Sequence, residues 1–213
     1  MNEFKMKLKT NKLIKPQEEE NYYIIYDENK KKIGCINAKY EKMQQQWLKG
    51  ISVFVITKEG KLILEQRTKN TSITPNEVDL CSGHRDNNEK GKKTAFRELK
   101  EELGIRKKRI LKLKKIKKEV PLIFKGKRKF YIQFYMAIVN DNKNKIQKSE
   151  VDSVIEIPLQ EGFEMIRQGK TKFPYVGNEE KFEKIFEKIE KKFYKEVTNK
   201  KAIDTEKGEA RWL

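Results

Sequence analysis

Gly83-His84-Arg85-Asp86-Asn87-Asn88-Glu89 leads, seven residues later, into Arg97-Glu98-Leu99-Lys100-Glu101-Glu102-Leu103-Gly104-Ile105. Glu98, Glu101 and Glu102 are spaced i, i+3 and i+4. A helix over 91–103 therefore stacks three carboxylates on one face. Like charges so close repel and weaken the helix unless something positive sits among them. A hard divalent cation suits that place, because Mg²⁺ prefers oxygen ligands and bridges to phosphates. A plain solvated face balanced by Lys92, Lys93 and Lys100 is the bland reading. It leaves unexplained the two glycines that bracket the helix. Gly104 reads as the residue that takes positive φ and stops it. Gly83 reads as a position where backbone turns tightly or approaches a ligand.

Outward from this stretch, Ile51–Ile56 and Leu62–Arg67 read as strands turned by Lys58-Glu59-Gly60, and Val78–Ser82 as a short strand delivering Gly83. Tyr22–Tyr26 and Lys32–Ile36 read as a hairpin. After the helix comes a very basic run, Arg106–Lys118, and then a hairpin of strands 119–124 and 129–139 joined at Lys125-Gly126-Lys127. Val151–Ile157 is a further strand, and Pro158 opens a helix. Over 181–194 the residues Phe182, Ile185, Phe186, Ile189 and Phe193 form one apolar stripe, predicting a C-terminal amphipathic helix whose stripe packs on the core. A mixed sheet with helices on its faces accommodates all of this.

The spacing G-x5-E-x7-R-E-U-x-E-E-x-G-U, with U a bulky aliphatic residue, is met at every specified position. In this the chain resembles the Nudix family. The resemblance implies an α/β fold, the Nudix α/β/α sandwich with a mixed sheet, over about 21–175. Flanking it would be a basic N-terminal arm at 1–20 and a C-terminal helix and tail at 176–213. It implies hydrolysis of a diphosphate linkage by a metal-activated water, with Mg²⁺ as cofactor and Mn²⁺ as an alternative ion. Glu101 and Glu102 would be the main metal ligands, with Glu98 a ligand or the general base and the Gly83 carbonyl completing part of the shell. Arg97 would orient a carboxylate, and Glu89 would be its partner or an outer ligand. Family members recruit one more carboxylate from a later loop. Glu150 is the first candidate here and Glu119 the second. His84 is the sole histidine and is a candidate base or substrate contact.

Gln66-Arg67-Thr68-Lys69 through Pro75 to Asp79-Leu80-Cys81-Ser82-Gly83-His84 is similar to the branch that includes type 1 isopentenyl-diphosphate isomerase. Arg67 and Lys69 are the expected substrate contacts. That isomerase carries a catalytic cysteine directly before Gly-His. Here Ser82 holds the place and Cys81 lies one residue earlier, which on a strand points to the opposite face. The expectation is an isomerase-like framework running hydrolase chemistry.

The rest of the composition sets bounds. The 213 residues are 36% hydrophobic and 38% charged, with a net charge of +18 carried mostly by lysine. One domain with charged extensions fits. Two cysteines suit a reducing compartment, no apolar run approaches a membrane span, and Met1–Lys15 lacks the apolar stretch of a secretion signal. A cytoplasmic protein is expected. The basic surface admits an RNA partner, but scarce arginine argues against base or phosphate reading, so a small-molecule diphosphate is the favoured partner. Substrate choice would reside in loops 38–48, 68–77 and 140–150. Oligomeric state is left open.

Overall fold

The computed structural model describes residues 22–37, 45–69, 76–85, 89–124, 128–140, 146 and 150–209, with 199–209 described by their backbone. The expected arm at 1–20, the turn at 125–127 and most of the three candidate specificity loops lie outside those residues. Among the described residues nine strands form one mixed sheet. In chain order they are β1 (Tyr22–Tyr26), β2 (Lys32–Asn37), β3 (Trp47–Thr57), β4 (Lys61–Arg67), β5 (Val78–Asp79), β6 (Cys81–His84), β7 (Ile110–Phe124), β8 (Arg128–Val139) and β9 (Val151–Pro158). The helices are α1 (Gly91–Glu101), α2 (Leu159–Arg167) and α3 (Glu179–Glu209).

The sheet is organised around β3, an almost uninterrupted apolar run. It pairs in parallel with β8 from Trp47↔Lys129 to Thr57↔Val139. In turn it meets β1, β6 and β4, all antiparallel. A strand covered on both faces reads as continuous hydrophobic sequence, and β3 alternates between two cores. Leu48, Phe54 and Ile56 pack with Phe163 and Ile166 of α2 and with Phe182, Ile185, Phe186, Ile189 and Phe193 of α3. Ile51, Val53 and Val55 pack with Ala95 and Leu99 of α1 and with Leu103 and Ile105 beyond it. The result is the three-layer α/β/α arrangement expected from the sequence. The 181–194 stripe packs on the core, within a helix longer than expected.

The basic run after α1 differs from expectation. It is a strand from Ile110 onward, paired to β8 along its length with three register irregularities. Ile116, Val120, Leu122 and Phe124 face inward while lysines occupy exposed positions. Among the described residues β7 pairs on one side only. Lysines and Pro121 on such an edge block further strand pairing. The irregularities break strict alternation, which is why the periodicity signal failed there.

One ion-pair cluster fastens α2 to α3. Arg167 donates from Nε and Nη2 to the two oxygens of Glu183 at 2.8 and 2.7 Å, and from Nη1 to Glu164 at 2.6 Å. Tyr175 Oη donates to Glu183 at 2.6 Å. The Arg167 hydrogen bonds hold the Glu183 carboxyl below the usual glutamate range. Arg167→Met is expected to cost about 1 kcal/mol, discounted because both side chains are partly exposed. The lost contribution is complete above the unfolded glutamate pKa and fades as pH falls through the lowered folded value. Urea midpoints of the two proteins should therefore differ at neutral pH and converge below that value.

Candidate active site

Gly83 stands at the end of β6, opposite Ile51 of β3. A Cβ there would lie 1.8 Å from Glu98 Oε1, so only glycine lets α1 pack its carboxylate against this backbone. Past the helix, Gly104 takes φ 64°. It turns the chain so that Ile105 N–H donates to the Leu99 carbonyl at 2.7 Å. The two glycines thus set the position and the length of the helix that carries the three glutamates.

The three are not equivalent. Glu98 is 7% exposed and Glu102 3%, whereas the Glu101 side chain is 46% exposed. Arg97 Nη1 lies 2.7 Å from Glu98 Oε1 and 2.9 Å from Glu101 Oε2. Its Nη2 donates to the His84 carbonyl at 2.9 Å, and Glu89 Oε2 is 3.4 Å away. Glu102 Oε2 accepts from Ser82 N–H at 3.0 Å. Beneath these lie two further acids, Glu65 and Asp79, both fully buried. Asp79 is met by Lys172 Nζ at 2.7 Å, Leu80 N–H at 2.8 Å and Ser82 Oγ at 3.3 Å. Among the described residues neither Glu65 oxygen accepts from an N–H or hydroxyl donor; Arg67 Nη1 is 3.6 Å from Oε1, and the Glu102 carboxyl is another polar neighbour of Glu65.

Crowded burial has an electrostatic consequence. Desolvation, and then the charge of Asp79, push the Glu65 carboxyl up to about 8. Desolvation, then Glu65 and Asp79, push Glu102 well up. A bound cation reverses this balance by stabilising the carboxylates. The carboxylate and carbonyl donors on this face are all oxygen, the kind Mg²⁺ and Mn²⁺ take. By donor chemistry these residues fit such an ion, although as the side chains stand no group of three or more His, Cys, Asp or Glu among the described residues is gathered closely enough to hold one. The Arg97 guanidinium lies between Glu98 and Glu101 in the place where positive charge is needed.

A cavity of about 490 Å³ opens onto this face. One wall is acidic, made by Gly83, Arg97, Glu98, Glu101, Glu102 and Glu150. Another is aromatic, made by Tyr23, His84, Phe124, Phe130 and Phe173, with Arg128 among them. Arg67 and Lys172 also line it. Glu150 reaches the site because β9 pairs with β4, placing Val151 opposite Arg67 and Thr68 N–H on the Glu150 carbonyl at 3.0 Å. Glu119 does not line the cavity. It pairs with Lys49 and Arg85 at 3.1 and 3.5 Å. Glu89 pairs with Arg97 and Lys93 and lies off the lining, as does exposed Lys69. The His84 ring stacks on Tyr23, centroids 4.3 Å apart and planes at 16°.

The sequence reading missed Glu65, Asp79, Lys172 and the aromatic wall. Glu65 had a signal, since it interrupts the apolar run Leu62-Ile63-Leu64 on a strand that reads as buried. Lys172 had none, because its place depends on the connection after α2 folding back to Val78, whose carbonyl accepts from Lys172 N–H at 3.0 Å.

The family described as NUDIX domain matches residues 47–175. The chain belongs to the Nudix family. Every specified position of the Nudix motif is retained between Gly83 and Ile105. No curated protein matches the sequence. Among solved structures, it is similar to DR0079 from Deinococcus radiodurans, at TM-score 0.59 and 14% identity, over 73% of this chain and 94% of that one. It is also similar to the MutT protein of Methanosarcina mazei Go1, at TM-score 0.52 and 18% identity, over 68% and 94%. At these identities the likeness shows the Nudix fold.

Proposed function

We propose that this Nudix protein hydrolyses a diphosphate linkage in a nucleotide-type or other organic diphosphate, with Mg²⁺ as its metal and Mn²⁺ as an alternative. One observation carries the reading: the three motif glutamates, Gly83 and Glu150 line a single cavity with Arg67 and Lys172. In this proposal Glu101, Glu102 and the Gly83 carbonyl would hold the ion, and Glu150 would add a further carboxylate. The ion, when bound, neutralises phosphate oxygens and lowers the pKa of a water. Glu98 takes the proton from the attacking water. Arg97, tied to Glu98, Glu101, Glu89 and the His84 carbonyl, keeps the carboxylates in register. Arg67 and Lys172 contact the phosphates. Their charge balances buried acids while the cavity is empty of substrate. His84, stacked on Tyr23, serves as a wall of the cavity and a substrate contact.

The isomerase reading is disfavoured by the setting of its candidate cysteine. Cys81 is buried on the α1 side of the sheet. Desolvation, and then the neighbouring Glu102 and Glu65 charges, push its thiol far up, the reverse of what a reactive cysteine needs. Free Cys35 and Cys81 support a cytoplasmic setting.

The test is a phosphate-release screen with Mg²⁺ over nucleotide sugars, dinucleoside polyphosphates, nucleoside triphosphates, capped RNA and isoprenoid diphosphates. Release from at least one of them is expected. Deuterium exchange into isopentenyl diphosphate without any release would replace this reading with the isomerase one.

Part of the basic strand is already engaged by partners within the protein. Lys112 lies 3.2 Å from Glu196 of α3, Lys114 also pairs with Glu196, and the Lys115 ammonium lies 5.9 Å from the Tyr135 ring centroid. A small substrate is accordingly expected to show only a shallow salt dependence of kcat/KM. Sub-micromolar RNA binding at physiological salt, lost when Lys107, Lys108, Lys117 and Lys118 become glutamine, would favour an RNA role instead.

A further inference from the structure

The family match begins at residue 47, yet the aromatic wall of the cavity includes Tyr23. That residue comes from the β1–β2 hairpin, which precedes the matched span. The hairpin is held firmly. Tyr23 pairs with Ile36 across it, and Tyr26 pairs with Trp47 of β3. Tyr131 Oη of β8 donates to the Glu28 carbonyl at 2.9 Å and lies 3.2 Å from that of Asp27. The Tyr131 ring stacks on Trp47 at 4.4 Å, and Lys49 Nζ lies 4.2 Å from the Tyr26 ring centroid. These contacts fix Tyr23 against His84, the residue next to Gly83.

From there the wall is continuous. Phe130 lies 5.3 Å from the His84 ring and 5.6 Å from Phe124, and Phe124 lies 5.8 Å from Phe173. The Arg128 guanidinium lies 5.2 Å from the Phe130 centroid. Flat rings interleaved with a guanidinium suit a planar group with a π face and polar edges. A branched saturated chain would call for a dry, purely apolar lining. Tyr23 and His84 are each only half-buried, so part of their surface faces the cavity.

We propose that the β1–β2 hairpin is a specificity element of this site, with Tyr23 a specificity-determining contact to a planar aromatic group, such as a nucleobase, on the substrate. The proposal rests on the diphosphate-hydrolase reading for the place of the phosphates, and its test needs neither metal nor turnover. Calorimetry with the full chain compares nucleoside 5′-monophosphates (AMP, GMP, CMP and UMP) with ribose 5-phosphate, which differs by lacking the base. The best nucleotide should bind at least about tenfold more tightly than ribose 5-phosphate, as one base stack provides. Tyr23→Ala and Tyr23→Leu should each remove about tenfold of that affinity and leave ribose 5-phosphate unchanged, while Tyr23→Phe should bind as wild type. Two ring-removing variants guard against one that folds poorly, and Tyr23→Leu keeps most of the apolar volume. Equal weakening of both ligands, no weakening of either, or tighter wild-type binding of geranyl monophosphate than of any nucleotide would overturn the proposal. Those outcomes leave the hydrolase reading standing, whereas failure of phosphate release would sink that reading without altering the binding comparison.

Discussion

Replacing Glu101 by glutamine is expected to lower kcat/KM about a thousandfold, a loss of roughly 4 kcal/mol of transition-state stabilisation. Glu101 is the most exposed of the three glutamates borne by α1 and its C-cap, and Arg97 Nη1 is 2.9 Å from it. Its charge contributes little to the fold, since ion pairs at that exposure are worth about 1 kcal/mol or less. Loss of activity should thus come with a nearly unchanged Tm. That separation distinguishes a metal ligand from a structural residue. A variant within about threefold of the wild-type rate would remove Glu101 from the proposed metal set. So would a variant inactive because it is unfolded.

Gly83→Ala is expected to cost about a hundredfold in kcat, for a different reason. The added Cβ would meet Glu98 Oε1 at 1.8 Å and Glu98 Cδ at 2.1 Å. The obstructing atoms are the end of a side chain, so the backbone survives and Glu98 is displaced. Misplacing a reacting group by about 1 Å costs on the order of 10²-fold. Gly34→Ala is the matched control, because its Cβ would meet only Ile25 side-chain atoms at 3.6 and 3.7 Å. The expected pair of results is a slow Gly83→Ala enzyme and an unaffected Gly34→Ala enzyme, both with native circular dichroism. If Gly83→Ala keeps full activity, the close packing of Glu98 on the β6 backbone is not needed for the reaction.

The acidic half of the site was legible because its residues are consecutive on one helix. A spacing of i, i+3, i+4 between glycines determines which face they share before any tertiary contact forms. Strands β3, β4 and β8 were legible for a similar reason, as continuous apolar runs between turn residues. The aromatic half was not. Tyr23, Phe124, Phe130 and Phe173 belong to four segments spread over 150 residues of sequence, and ring contacts alone join them. No local period marks such a wall. Lys172 and Asp79 escaped notice likewise, since each looks like an ordinary surface charge until the segment after α2 lies along β5. Glu150 was identified as a candidate from its place before a strand. What puts it at the cavity is the β4–β9 register, which sequence periodicity does not specify.

The proposed hydrolysis requires the carboxylates of α1 and its C-cap to hold a divalent ion. The direct measurement is the initial rate of hydrolysis of the best diphosphate substrate against Mg²⁺ concentration, starting from chelator-stripped protein. The predicted result is no turnover without added metal, a saturable rise with Mg²⁺ in the wild type, and no comparable rise in Glu101→Gln. Turnover that persists in excess chelator, or a Glu101→Gln curve that overlays the wild type, would contradict it.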